Sequence, residues 1–127
     1  MIIQVPISLG ELVDKITILE LKLEYIQDKD KLSNVQKEYE LLTKVLAESI
    51  ETSQIEKLKV ELKEVNRKLW FIEDDIRDCE RSKDFGEMFI KLARSVYFTN
   101  DKRSEIKKDI NLKFGSDILE EKSYESY

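Results

Sequence analysis

The sequence predicts an all-α protein: an antiparallel helical bundle built on a long hairpin of two helices, with a short extended arm in front. Three observations lead there. Apolar residues recur at alternating spacings of three and four through most of the chain. The 127 residues include only three Gly and one Pro, which leaves few points where a helix must break. Charged residues reach 39% and hydrophobic ones 41%, and the two interleave as they do on solvated helix faces. A chain of this length folds as one domain, residues 1–127, and buries roughly two-thirds of its unfolded surface without staples.

Residues 1–7 are β-prone, and Pro6 biases Val5 away from helix, so they read as an extended arm. Ser8 and Glu11 make a capping box, with Ile7 and Leu12 placed as its hydrophobic staple. Helix 1 then spans 8–27, with Leu9, Leu12, Val13, Ile16, Leu19, Leu23 and Ile26 on one face. The run Asp28-Lys29-Asp30-Lys31 interrupts the pattern without Gly or Pro, and leaves open whether helices 1 and 2 are separate or continuous. Helix 2 covers 31–50 and carries Leu32, Val35, Tyr39, Leu42 and Leu46. A second capping box, Ser53 with Glu56, opens helix 3 over 53–81.

Helix 3 holds the most regular stretch, a coiled-coil-like seam of Ile55, Leu58, Leu62, Val65, Leu69, Ile72, Ile76 and Cys79. Helix 4 spans 84–114, capped by Asp84 and lined by Phe85, Phe89, Leu92, Val96, Ile106, Ile110 and Phe114. Gly115 suits the left-handed position just past its end, and 115–127 form a tail. Two helices of about 30 residues, roughly 45 Å each, joined by two or three residues must lie antiparallel.

Composition excludes several chemistries. With no histidine and one cysteine, Cys79, there is no His-based triad, no His/Cys zinc site and no internal disulfide. A buried, inert thiol is the expectation for Cys79, which sits in the seam. Neither metal nor cofactor is expected. The net charge is −5, of which the tail supplies −3, from Asp117, Glu120, Glu121 and Glu125 against Lys122. The near-neutral body argues against nucleic acid. No apolar run approaches a membrane span, the first residues lack the basic region of a signal peptide, and a cytoplasmic location is expected.

Two stretches depart from the simple pattern. Asn66, Trp70, Glu73 and Arg77 form one stripe on helix 3, and Arg94, Tyr97, Asn100 and Arg103 form another on helix 4. If the hairpin turns near residue 83, Asn66 lies level with Asn100, Trp70 with Tyr97, and Glu73 with Arg94. One reading is structural: a half-buried polar cluster that fixes helix register. The other is a pocket in which Arg94 or Arg103 grips an anionic group while Trp70 or Tyr97 covers the rest. Carboxylate pairs Glu61/Glu64 and Asp75/Asp78 also occur, but on one straight helix they cannot converge on an ion. Asp14, Lys15 and Glu20 read as surface charges, and Thr17 as a hydroxyl bonded to a backbone carbonyl.

The strings Ser8-Leu9-Gly10-Glu11-Leu12-Val13-Asp14-Lys15-Ile16-Thr17-Ile18-Leu19-Glu20, Leu69-Trp70 with Glu73-Asp74-Asp75-Ile76-Arg77, Ala93-Arg94-Ser95-Val96-Tyr97 with Thr99-Asn100-Asp101-Lys102-Arg103, and Glu120-Glu121-Lys122-Ser123-Tyr124 resemble a family of small proteins of unknown function, domain-of-unknown-function family 6165. The pattern from Asn66 to Arg77 is also similar to a second uncharacterised helical family. The resemblance implies a free-standing bacterial or phage protein linked to glycan metabolism, and it carries over no catalytic residue. It also implies a tail that docks over the helical patch. The expectation is a non-enzymatic helical bundle, a homodimer, that binds a partner protein or a small anionic ligand. The runner-up is a small enzyme acting on a phosphorylated or carboxylated metabolite, with Glu73 as acid/base and Arg94 and Arg103 holding the anion.

Overall fold

Four α-helices, α1 (Leu9–Tyr25), α2 (Lys29–Ser49), α3 (Glu56–Ser82) and α4 (Glu87–Lys113), make up nearly all the secondary structure of a computed structural model describing residues 1–127. Thr52–Gln54 add a single 3-10 turn, and there are no strands. The all-α class and the α3–α4 hairpin are as the sequence predicts. Each hairpin helix has 27 residues, so it is about 40 Å long.

The helix ends show where local chemistry decided the path. Ser8 caps α1, its Oγ accepting from the Glu11 amide at 3.2 Å. Glu11 does not complete the reciprocal box, because its carboxylate reaches Lys107 at 2.8 Å. Helices α1 and α2 are separate: Ile26 is extended, and Asp28 caps α2 by accepting from the Lys31 amide at 3.0 Å. Ser53 does not cap α3. The chain makes a 3-10 turn there that carries Ile55, 1% exposed, into the core, and α3 begins at Glu56 without a side-chain cap. Asp84 does not cap α4 either; its Oδ1 accepts from the Gly86 amide at 3.1 Å and so shapes the turn, and Gly86 precedes the first helical residue.

Both hairpin helices end in left-handed closures. Lys83 takes φ 56°, and the Asp84 amide donates to the Cys79 carbonyl at 2.9 Å. Gly115 takes φ 63°, and the Ser116 amide donates to the Asn111 carbonyl at 2.9 Å. A side chain is costly in that region, so glycine fits at 115 while Lys83 is the single non-glycine residue held there.

The core lies at one end of the hairpin. Leu12, Val13 and Ile16 of α1 meet Leu46 of α2, Ile55, Leu62 of α3, and Ile106 and Ile110 of α4. Full burial of each such side chain contributes about 1.5–3 kcal/mol, so this end holds the fold. Past Ile72 and Thr99 the two hairpin helices run on as an arm with no third helix over them. Cys79 is buried in the arm's seam, as expected of an inert thiol, while Phe85, Met88 and Ile90 remain exposed.

Glu20 is not a surface charge. Its carboxylate is only 14% exposed and accepts from Lys59 at 2.9 Å and from the Tyr39 hydroxyl at 3.0 Å, with Lys63 at 3.3 Å. It thereby ties α1 to α2 and α3. Burial pushes the Glu20 carboxyl up, but Lys59, Tyr39 and Lys63 together outweigh it and hold it below the ordinary value of 4.5. A depressed folded value means stabilisation that is complete above 4.5 and lost as pH falls through the folded value. Melting temperature is therefore expected to fall on acidification below 4.5, and Glu20→Gln to flatten part of that slope in a pH series of melts. An unchanged slope in the variant would place the acid sensitivity elsewhere.

Candidate functional site

Helix α1 carries a stripe at spacings of four, three and four: Gly10, Asp14, Thr17 and Leu21, all buried. This stripe, and not the broad apolar face alone, seats α1 across the hairpin. At Gly10 the backbones come so close that its amide donates to the Asn111 Oδ1 at 2.7 Å. One turn on, Asp14 is 1% exposed. Arg103 grips it with two nitrogens, Nε to Oδ1 at 2.9 Å and Nη2 to Oδ2. Asn66 Nδ2 donates to Asp14 Oδ1 at 2.9 Å and to Thr17 Oγ1 at 3.0 Å. Thr17 in turn donates to the Asp14 carbonyl at 2.8 Å, the backbone contact expected of it.

Lys107 completes the network. It is 6% exposed and meets Glu11 at 2.8 Å, Glu120 of the tail at 3.0 Å and Asp14 at 3.9 Å. Burial pushes the Lys107 ammonium down, yet the carboxylates of Glu11 and Glu120 outweigh it and raise the value above the usual lysine range. The hydrogen bonds that Arg103 donates to Asp14 raise its value against the opposing effect of burial. Glu120 is held below the usual carboxylate range, chiefly by its bond to Lys107. Every buried side-chain polar atom has a partner, which a low-dielectric site requires.

Asp14 is thus the centre of the polar cluster and not a surface charge, whereas Lys15 is half-exposed as expected. A carboxylate on an amphipathic helix reads as solvated unless its partners are known, and those partners lie 52 and 89 residues away. The spacing of Asp14 with Gly10 and Thr17 was the available signal.

Five of the eight sequence candidates share one cavity of about 470 Å³: Asn66, Trp70, Glu73, Asn100 and Arg103, with Ile18, Leu21, Leu69 and Asp74. Asn66 and Asn100 do meet at one level. The other two level pairs find partners elsewhere, Trp70 because the end of α1 reaches it. Trp70 packs on Tyr25 of α1, ring centroids 5.6 Å apart, and not on Tyr97. Glu73 bonds Arg77 one turn along the same helix, and not Arg94. Arg94 is exposed on the arm, outside this cavity's lining. Tyr97 turns to the other side, against Tyr127 at 5.4 Å between ring centroids.

Arg103 faces two ways. One edge of its guanidinium is held by Asp14, while Nη1 has no partner within the chain and the side chain, 29% exposed, lines the cavity. The rest of the cavity's charge is negative, from the exposed Glu73 and Asp74. Trp70 and the leucines supply an apolar wall, and the two asparagines supply both donors and acceptors. Such a site can hold a flat-faced group rich in hydroxyls; it offers no free cation pair to a bare anion. Glu61, Glu64, Asp75 and Asp78 are all exposed along α3. No helix is long and apolar enough to cross a membrane.

Residues 3–127 match the model of a family of unknown function, DUF6165. No curated protein and no solved structure matches the chain.

Proposed function

We propose that this chain, which belongs to the DUF6165 family of unknown function, is a non-enzymatic binding protein whose small ligand sits against Trp70. The observation that carries the reading is the convergence of Asn66, Asn100, Arg103 and Trp70 on one cavity. The ligand class that fits is a sugar. A pyranose ring lays its CH face on an aromatic wall and exchanges hydrogen bonds with amides and carboxylates, as ligand sites with a few polar groups do. An anionic substituent, the feature the sequence favours, has one place to go, the free edge of Arg103. A link to glycan metabolism belongs to the same proposal, as does a cytoplasmic setting, which a single buried thiol suits.

Binding is favoured over turnover by the state of the would-be acid/base. Glu73 is exposed and paired with Arg77, and Arg94 stands apart from Arg103 instead of joining it in a clamp. A thermal-shift panel of neutral sugars, sugar phosphates, nucleotide sugars and small dicarboxylates tests this. A ligand that binds only the native state adds about 2.7 kcal/mol at 100 times its Kd. The expected hit is lost in Trp70→Ala and kept in Glu73→Gln, with no ligand consumed. Turnover abolished by Glu73→Gln would overturn the binding reading in favour of the enzyme.

The second reading is a partner protein or a second copy of this chain, and the uncovered arm favours it, with Phe85, Met88 and Ile90 exposed. A homodimer of this kind would use the arm and not the α3 seam, since Leu62 is 0% exposed within one chain. A panel without any shift would shift the weight to this reading.

A further inference from the structure

We infer that residues 116–127 form the second wall of the binding site, and that its ligand is an oligosaccharide of at least two rings and not a single sugar. The inference rests on the sugar reading of the Trp70 cavity and extends it. The tail is fastened to α4 at two points. Glu120 meets Lys107 at 3.0 Å, and the Tyr127 hydroxyl donates to Asp101. The Tyr127 ring also packs on Tyr97 and Phe98, with centroids 5.4 and 4.8 Å away. Between these anchors the chain spans a cavity of about 740 Å³.

That cavity has the same design as the first. Tyr97, Tyr124 and Tyr127 give aromatic walls, and Asn100, Arg103 and Lys122 give polar contacts, with Asp101 and Glu125 balancing the two cations. Neutral overall, it suits hydroxyls better than a bare anion. Asn100 and Arg103 line both cavities, so the two meet at those side chains. Each cavity falls within the size range of a small-ligand site. The inferred groove passes from one side of Asn100 and Arg103 to the other, with an aromatic platform at either end, Trp70 and the tyrosines. A chain of rings occupies both platforms, whereas a single ring reaches only one.

The test is an array of neutral glycans of one to six rings, with sugar phosphates included, probed by the full-length protein and two variants. The wild type is expected to retain glycans of two or more rings at least tenfold better than single rings. Tyr124→Ala/Tyr127→Ala should erase that preference, and because both side chains are largely exposed, 82% and 74%, its melting temperature should stay close to wild type. Trp70→Ala should lose binding altogether. Binding that depends on Trp70 but is indifferent to the tyrosine pair, or that is as strong for single rings, would overturn the extended groove and leave the Trp70 site standing. No binding to any glycan would overturn both.

Discussion

Asp14→Ala is expected to destabilise the protein by about 3–5 kcal/mol, the usual consequence of removing one partner from a buried ion pair. For a domain of this size that corresponds to a fall in melting temperature of roughly 10–20 °C. Three partners lose their acceptor together: Arg103, Asn66 and, at longer range, Lys107. Arg103 would be left half-buried without its counter-charge, and Asn66 Nδ2 would keep only Thr17. A surface carboxylate, by contrast, changes stability by less than about 0.5 kcal/mol when removed. A melt of Asp14→Ala within two degrees of wild type would show that the network does not hold α1 in place.

Gly10→Ala is the second large effect, and its sign runs against helix propensity. Inside a helix, alanine is better than glycine by about 1 kcal/mol. Here a Cβ at position 10 would lie 2.5 Å from the Lys107 carbonyl oxygen and 2.9 Å from Asn111 Oδ1. The first of these is backbone and cannot swing aside. The helices must part, which stretches the 2.7 Å bond from the Gly10 amide to Asn111 and disturbs Lys107 next to Asp14. A loss of about 3 kcal/mol, at the high end for overpacking, is expected in denaturant unfolding. A stabilised variant would mean that α1 and α4 do not approach this closely.

Much of the fold could be read from local rules. The three-four rhythm of α3, the Ser8 cap and the glycine at 115 each follow from chemistry contained within a few residues. The caps assigned to Ser53 and Asp84 failed for a tertiary reason in one case and a neighbour's in the other: Ile55 had to reach the core, and Gly86 was the easier entry to α4. The candidate site was legible where it depended on the hairpin alone, as for Asn66 and Asn100. It was illegible where α1 decided the outcome. That helix covers one flank of α3, claims Trp70 through Tyr25 and claims Arg103 through Asp14, and no spacing within α3 or α4 announces its position. Arg77, Arg94 and Tyr97 share the right periodicity but lie outside the Trp70 cavity.

Trp70 is the chain's single tryptophan, so its fluorescence reports on the proposed site without any label. The most direct measurement is a titration of the wild-type protein with neutral mono- and oligosaccharides, following Trp70 emission. Binding against the indole predicts a saturable change in intensity or wavelength, absent in Asn100→Ala/Arg103→Lys if those side chains orient the ligand. A ligand that raises the melting temperature while leaving Trp70 emission untouched would contradict the account and place the binding site elsewhere on the molecule.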